Sequence, residues 1–401
     1  MTLPLEGYRV ADLGQVWAGP VLGHYLADMG AEVIRIESSA GSDKMREIAK
    51  EPSEIRKMLD ANFVFRNRLS VTLNFTKARA VEMTKEIVSH CDIVIENFSP
   101  RVLAKFGLDY PALRKARPDI VMLSMSAAGQ SGPFRDLMGY GPSINSVSGY
   151  DSHVGYFGDN RLMVNAWDAD PTMATMGAFA VLSALHHRES TGAGQYIDLS
   201  FFEGLTSLLG ESVMDYSMNR RVAVPLGNRH PMMVPHGVYP CKGKDKWLAI
   251  AVSGQNEWRA FCKAVGEQEW TEDERFADVY ARLQHREELD TCVAQWTRRQ
   301  ERYEAMHHLQ SHGVAASIVA SLEDVYLDPH DQFRRQDLVI EDGRLERNDV
   351  IYGIPWHLSK TPGAIRSLAH GLGQDNKGIL CGMLGMAEGE VERLMQEQVV
   401  Y

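Results

Sequence analysis

Between Tyr8 and Ser126 short strand-like runs alternate with helical stretches. They read YRVADL, a helix from Pro20 to Met29, EVIRIE, a helix over Ala78 to His90, DIVIEN, a helix near Pro111 to Ala116, and IVMLSMS. Strands separated by helices need crossover connections, and these build a parallel sheet with helices on both faces. The rhythm therefore predicts a doubly wound α/β domain. It breaks from Gly132 to Val164 into Gly, Ser, Asp and Tyr, which reads as loop near a site. It resumes with a helix over about Pro171 to His187, the strand YIDLS and another apolar helix. At 401 residues the chain exceeds one ordinary core. From near Asn219 the composition changes: VPLGNRHPMMVPHGVYP reads as a connector, KWLAIAV as a strand, and Glu257–Val265, Arg286–Thr297 and Arg302–Gln310 as helices. The predicted organisation is a large α/β domain over residues 1–224, a smaller inserted α+β domain over 225–330, and a return to the large domain over 331–401.

The balance of 53 acidic against 42 basic residues gives a net charge of -11, which argues against nucleic acid or an anionic membrane as partner. No apolar run approaches the roughly 20 residues of a membrane span, and MTLPLEGYRV lacks a signal-peptide pattern. A cytoplasmic location is expected. Cys91, Cys241, Cys262, Cys292 and Cys381 lie far apart, which suggests neither a zinc site nor a disulfide framework.

Candidate chemistry concentrates in a few places. NAWDADPTMATMGAFAVLSAL sets Asp168 and Asp170 before a helix of small and apolar residues. Asp170 reads as the helix cap with Pro171 at the first helical position, and the helix dipole would favour its ionised form. The turn DLGQVWAGP lies where doubly wound folds bind phosphates, but Gly14 and Gly19 lack dinucleotide-fingerprint spacing, so a reading through this turn and Glu37 has little support. His308 and His312 are four apart but lack a third ligand in the sequence pattern, and read as ordinary helix-end residues. No nucleophile elbow of a serine hydrolase occurs. Arg66, Arg68, Lys77, Arg101 and Lys105 follow the strands of the first domain and together would suit a phosphate-bearing ligand whose far end reaches Asp170.

Several segments then fall in a recognisable order: ADLGQVWAGP, LADMGAEVIRIE, RNRLSVTLNF, DIVIENFSPRVLAKFGLDY, GQSGPF, RESTGAGQYIDLSFFEG, PHDQFRRQ and PWHLSKTPG. On these the chain resembles the class III coenzyme A transferase family, which includes formyl-CoA transferase, the carnitine CoA-transferases, the bile-acid-inducible F type and the α-methylacyl-CoA racemases. The resemblance implies a Rossmann-like large domain and an interlocked homodimer, or a heteromer with a related subunit. It places the nucleophile on Asp170, with Asp168 as the spare candidate. It places CoA-binding positions on Gln15, Trp17, Ala18, Leu73, Asn97, Phe98 and Lys105, with Tyr140 also at the site. Tyr140 stands where the racemases carry a histidine base; a phenol with a pKa near ~10 is a poor base at neutral pH, which argues against racemase chemistry. The connector GNRHPMMVPHG lacks the run of glycines found in formyl-CoA transferase, and Arg229 and His230 in it could meet a second carboxylate.

The implied activity is transfer of coenzyme A from an acyl-CoA donor, such as succinyl-CoA, to a carboxylic acid, through an aspartyl anhydride and an aspartyl-CoA thioester. Coenzyme A and acyl-CoA are then substrates, with no permanently bound cofactor or metal. The competing readings are an acyl-CoA racemase or isomerase of the same fold, a nicotinamide-dependent dehydrogenase, and a non-catalytic CoA-binding subunit of a heteromer.

Overall fold

Six short runs dominated by β-branched and aliphatic residues pair into one parallel sheet: β1 (Arg9–Asp12), β2 (Glu32–Glu37), β3 (Arg68–Thr72), β4 (Ile93–Glu96), β5 (Val121–Ser126) and β6 (Tyr196–Ser200). Their spatial order is β3-β2-β1-β4-β5-β6. The order reverses direction at β1 and β4, the crevice where doubly wound sheets place their ligands. The computed structural model describes residues 2–38, 62–163, 168–334, 337–340 and 349–401.

Helices α1 (Ala18–Asp28), α2 (Ala78–Ser89), α3 (Val102–Lys105), α4 (Tyr110–Ala116), α5 (Gly141–Val147), α6 (Ala169–Thr191), α7 (Phe201–Ser207) and α8 (Gly210–Asn219) accompany the sheet. Alternation along each strand sends successive side chains to opposite faces. Val10, Ile93 and Leu123 pack with Leu22 of α1 and Met173 and Val181 of α6. Ala11, Val94 and Met122 face the other way, against Met83 and Ile87 of α2 and Leu394 and Val400 of the C-terminal segment. The chain divides into two compact units, one of Met1–Tyr150, Asn165–Met218 and His330–Tyr401, the other of Asp151–Val164 and Asn219–Pro329. The second has its own core around Trp258, Phe261, Leu289 and Leu309 under an antiparallel sheet of His236–Pro240, Trp247–Ala251 and Ala315–Ile318.

Three local expectations need correction. The stretch from Gly132 to Val164, read as loop, contains α5, a short 3-10 turn and a small hairpin of Gly155–Tyr156 with Asp159–Met163; Val164 and Asn165–Trp167 lie outside the described residues. Strand β3 was hidden because Arg68, Ser70 and Thr72 interrupt its apolar pattern; the fold uses them in buried polar contacts instead. Helix α6 is only half covered: Met173, Ala174 and Val181 are fully buried, whereas Phe179 and Leu182 are 76% and 45% exposed. Among the described residues no helix is long and apolar enough to cross a membrane.

Candidate active site

The turn after β1 is built on a close approach of two glycines. A Cβ on Gly14 would lie 2.7 Å from the Gly19 Cα, so neither position accepts a side chain, and this explains their spacing without a dinucleotide. Asn97, just past β4, grips the same turn: its Oδ1 accepts from the Gln15 N–H at 2.6 Å and its amide donates to the Gln15 carbonyl at 2.8 Å. Between these glycines Val16 sits at φ 62°, a left-handed conformation that a β-branched residue adopts only when its surroundings hold it there. Trp17 then starts α1 as its N-cap residue, and Ala18 is fully buried.

Beneath the turn is a buried polar network. Arg35 lies 3.5 Å from Asp12 and donates to Glu37 at 2.9 Å and to the Gly14 carbonyl at 2.8 Å, while Arg68 donates to Asp12 at 2.7 Å. Arg66 pairs with Asp28 at 2.6 Å. The expectation that Arg66 and Arg68 would suit a phosphate is therefore overturned, since both are 2% exposed and already neutralised. Glu37 faces Arg35 and Ser70, with no surface for a ribose. Arg101 is paired with Asp136, which leaves Lys77 and Lys105 exposed.

Asp170 lies in the first turn of α6, and it is not the cap. Asp168 occupies the N-cap position, makes no capping bond and accepts from the Tyr150 hydroxyl at 2.6 Å. The shift arises because the helix begins at Ala169, one residue before Asp170 and two before Pro171. Freed from capping, the Asp170 carboxylate meets two other helix starts. The backbone N–H of Ala18 at α1 bonds to it and favours its charge, and a Cβ on Gly141, the first residue of α5, would lie 2.7 Å from its Oδ2. Burial outweighs that N–H and raises the Asp170 pKa above the ordinary carboxylate value. This reverses the expected direction, because desolvation of the carboxylate exceeds the stabilisation at the helix start.

The other candidate positions distribute unevenly. Gln15, Trp17 and Ala18 belong to the turn whose end meets Asp170, Asn97 clamps that turn from the end of β4, and Tyr140, 58% exposed, is the N-cap residue of α5 beside Gly141. Phe98 lies next to Asn97 and donates its N–H to Glu96 at 2.7 Å. Lys105 sits exposed at the end of the short α3. Leu73 is a packing residue: its side chain is fully buried in the core against α2, and it bridges to Val400, so it offers no side-chain surface to a ligand. Gly141 was missed by sequence reading; a glycine ahead of Pro142 at a helix start is the only local signal. Glu96 was also missed: burial pushes its carboxyl up to about 7, with the Asp198 charge adding to the rise.

In the second unit Arg229 stacks over Phe157 at 4.0 Å and pairs with Glu287 at 2.5 Å, at the edge of a cavity of about 540 Å³. His230 lies beside His236, ring centroids 5.3 Å apart, and its backbone carbonyl accepts from Arg286. His308 and His312 are each bonded to backbone carbonyls, of Ala264 and His308 respectively. Among the described residues no group of side chains could hold a metal ion.

Residues 5–376 match CoA-transferase family III. The chain is 30% identical to the succinyl-CoA–D-citramalate CoA-transferase of Chloroflexus aurantiacus, across 99% of this chain and 98% of that one. It is 31% identical to the succinyl-CoA–L-malate CoA-transferase beta subunit of the same organism, across 100% and 98%. The crystal structure of a CAIB/BAIF family protein from Brucella suis superposes with a TM-score of 0.85 at 26% identity, covering 96% of this chain and all of that one.

Proposed function

The chain belongs to CoA-transferase family III and is an enzyme of that class, and from that premise we propose that it moves coenzyme A from a dicarboxylic acyl-CoA to a carboxylic acid by covalent catalysis on Asp170. The observation that carries this reading is the Asp170 carboxylate itself, released from capping and set between the Ala18 N–H and the start of α5. Its carboxylate attacks the acyl-CoA thioester carbonyl, the C–S bond breaks, and coenzyme A leaves as thiolate. The product is a mixed anhydride, at least as reactive as the thioester it came from, so the acyl group stays activated. The thiolate attacks the aspartyl carbonyl, releasing the donor acid and forming an aspartyl-CoA thioester. The acceptor carboxylate attacks that thioester and expels the thiolate, which finally attacks the acceptor carbonyl of the second anhydride, regenerating Asp170.

Desolvation suits this cycle. It raises the energy of the attacking carboxylate, and exclusion of water protects two anhydrides from hydrolysis. Coenzyme A is bound along the turn at Gln15–Ala18, past Asn97 and Phe98, with Lys105 meeting its phosphates. Succinyl-CoA is the donor we favour, because two relatives of nearly equal length are named for it.

The dimer expected for the family is supported by apolar surface in the first unit. Helix α8 buries no residue and exposes Val213, Met214, Tyr216 and Met218, and α6 exposes Phe179 and Leu182. Surface of this kind marks an interface. A heteromer with a related subunit would use the same surface.

The test of the chemistry is trapping. Protein incubated with succinyl-CoA and then hydroxylamine is expected to carry a hydroxamate at Asp170 alone, read by peptide mass. A label on Asp168, or no label with transfer intact, overturns the assignment.

A further inference from the structure

Position 141 is a glycine that its own backbone conformation does not require. It is the first residue of α5, its φ lies outside the left-handed region, and its backbone would accept an L side chain. Its surroundings are mostly permissive as well: the Ala169 Cβ would sit at 3.5 Å from an added methyl, an ordinary contact. One group would have to shift to admit a Cβ, and that is the Asp170 carboxylate, whose Oδ2 would lie 2.7 Å away. Ile144, one turn on, is anchored in the core with Ala169, Met173 and Ala174, so α5 has no freedom to move aside.

We propose that Gly141 is a positioning residue for the transfer reaction: its bare Cα holds the direction of the Asp170 carboxylate while leaving Oδ2 open to the acyl carbon. The inference rests on Asp170 being the nucleophile. When Oδ2 attacks the thioester carbonyl, the acyl carbon and its substituents must come to within bonding distance on the side that Gly141 leaves clear. A methyl there occupies part of that approach and turns the carboxylate toward the Ala18 side. A reacting atom displaced by about 1 Å loses on the order of 100-fold in rate. The same crowding makes position 141 sensitive to donor size, with a succinyl group penalised more than an acetyl group.

Gly141→Ala tests this in two independent ways. In activity, we expect kcat for succinyl transfer to fall by about 100-fold or more, a smaller fall for acetyl-CoA, and unchanged affinity for free coenzyme A by calorimetry. The control is Gly139→Ala, whose Cβ would crowd the Ser143 hydroxyl at 2.6 Å and Ile144 Cγ1 at 3.3 Å in the same helix but not Asp170, so it should lower Tm yet keep substantial turnover. In stability, Gly141→Ala should lower Tm in the wild-type background and raise it, or leave it unchanged, in an Asp170→Ala background, because the clash partner is gone. That cycle reads the contact even if the single variant is too unstable to assay. A Gly141→Ala enzyme with wild-type turnover, or a Tm loss equal in both backgrounds, overturns the proposal. Hydroxylamine trapping separates the two readings: a label absent from Asp170 in the wild-type enzyme defeats the nucleophile itself, whereas an equal initial rate of labelling in wild type and Gly141→Ala defeats only the role of Gly141.

Discussion

At the scale of single residues, burial raises two carboxyl groups, Asp170 and Glu96, with different expected consequences. In the proposed cycle Asp170 must be ionised to attack, and its pKa is raised, so the rate should fall as pH drops through a value above that of an ordinary aspartate. Asp170→Asn is expected to cut transfer by at least ~1000-fold. Because Asp168 holds the N-cap position, the substitution removes no cap, and losing a desolvated charge should leave stability equal or higher by up to ~1 kcal/mol. Activity assays and urea unfolding of the one variant check both halves. Glu96 is different: with its carboxyl raised from 4.5 to about 7, the native state keeps a proton that the unfolded chain releases. Stability should therefore decline as pH rises from 4.5 to about 7 and stay lower above it. Glu96→Gln keeps an acceptor for the Phe98 N–H, removes that decline, and should stabilise the protein at about pH 8 by roughly 1–3 kcal/mol. Urea midpoints at mildly acidic and mildly basic pH measure it; identical pH dependence in the two proteins would contradict it.

At the scale of elements the starts of α1, α5 and α6 meet around Asp170, and a loop clamp holds the turn that leads into α1. Asn97 satisfies both the N–H and the carbonyl of Gln15, across 82 positions of sequence. It thereby holds Val16 in its left-handed conformation and fixes where the Ala18 N–H points. Asn97→Ala would strand two polar backbone groups in a part-buried turn, at a cost of ~1–3 kcal/mol. Because the N–H that meets Asp170 is at the end of that turn, kcat should fall along with Tm. A variant with lowered Tm and unaltered kcat would show that the clamp serves the fold alone. Beneath it, the Asp12, Arg35, Arg68 and Glu37 cluster spends four charged side chains on bracing the ends of three adjacent strands.

At the scale of the whole molecule the exposed apolar faces of α6 and α8 set the expectation. Ultracentrifugation should give twice the 44.9 kDa chain mass or a larger even multiple. Interlocked chains separate only by unfolding, so dilution to nanomolar concentration for hours should release no monomer, and loss of the dimer should coincide with thermal unfolding. A dimer that dissociates reversibly while folded would exclude interlocking; a monomer at micromolar concentration would remove the assembly altogether. The pair Val213→Asp and Met214→Glu should prevent assembly if α8 lies in the interface.

The alternation of strand and helix determined the parallel sheet and its helical layers before any coordinates, because crossover connections leave few other topologies. Family motifs carried the reading to Asp170, Asn97 and the CoA-transferase class. Tertiary structure decided what local grammar misassigned. Asp170 is not a cap, since the helix starts two residues earlier than Pro171 suggested, and Arg66 and Arg68 are neutralised by acids distant in sequence. Gly141 illustrates the division most clearly. A missing Cβ is visible in any sequence, but the reason for its absence is a carboxylate 29 positions away, brought within 2.7 Å of where that atom would stand. Local propensity acts over a turn or two of chain, whereas steric exclusion and charge pairing act through space, and only the packed sheet brings those partners together.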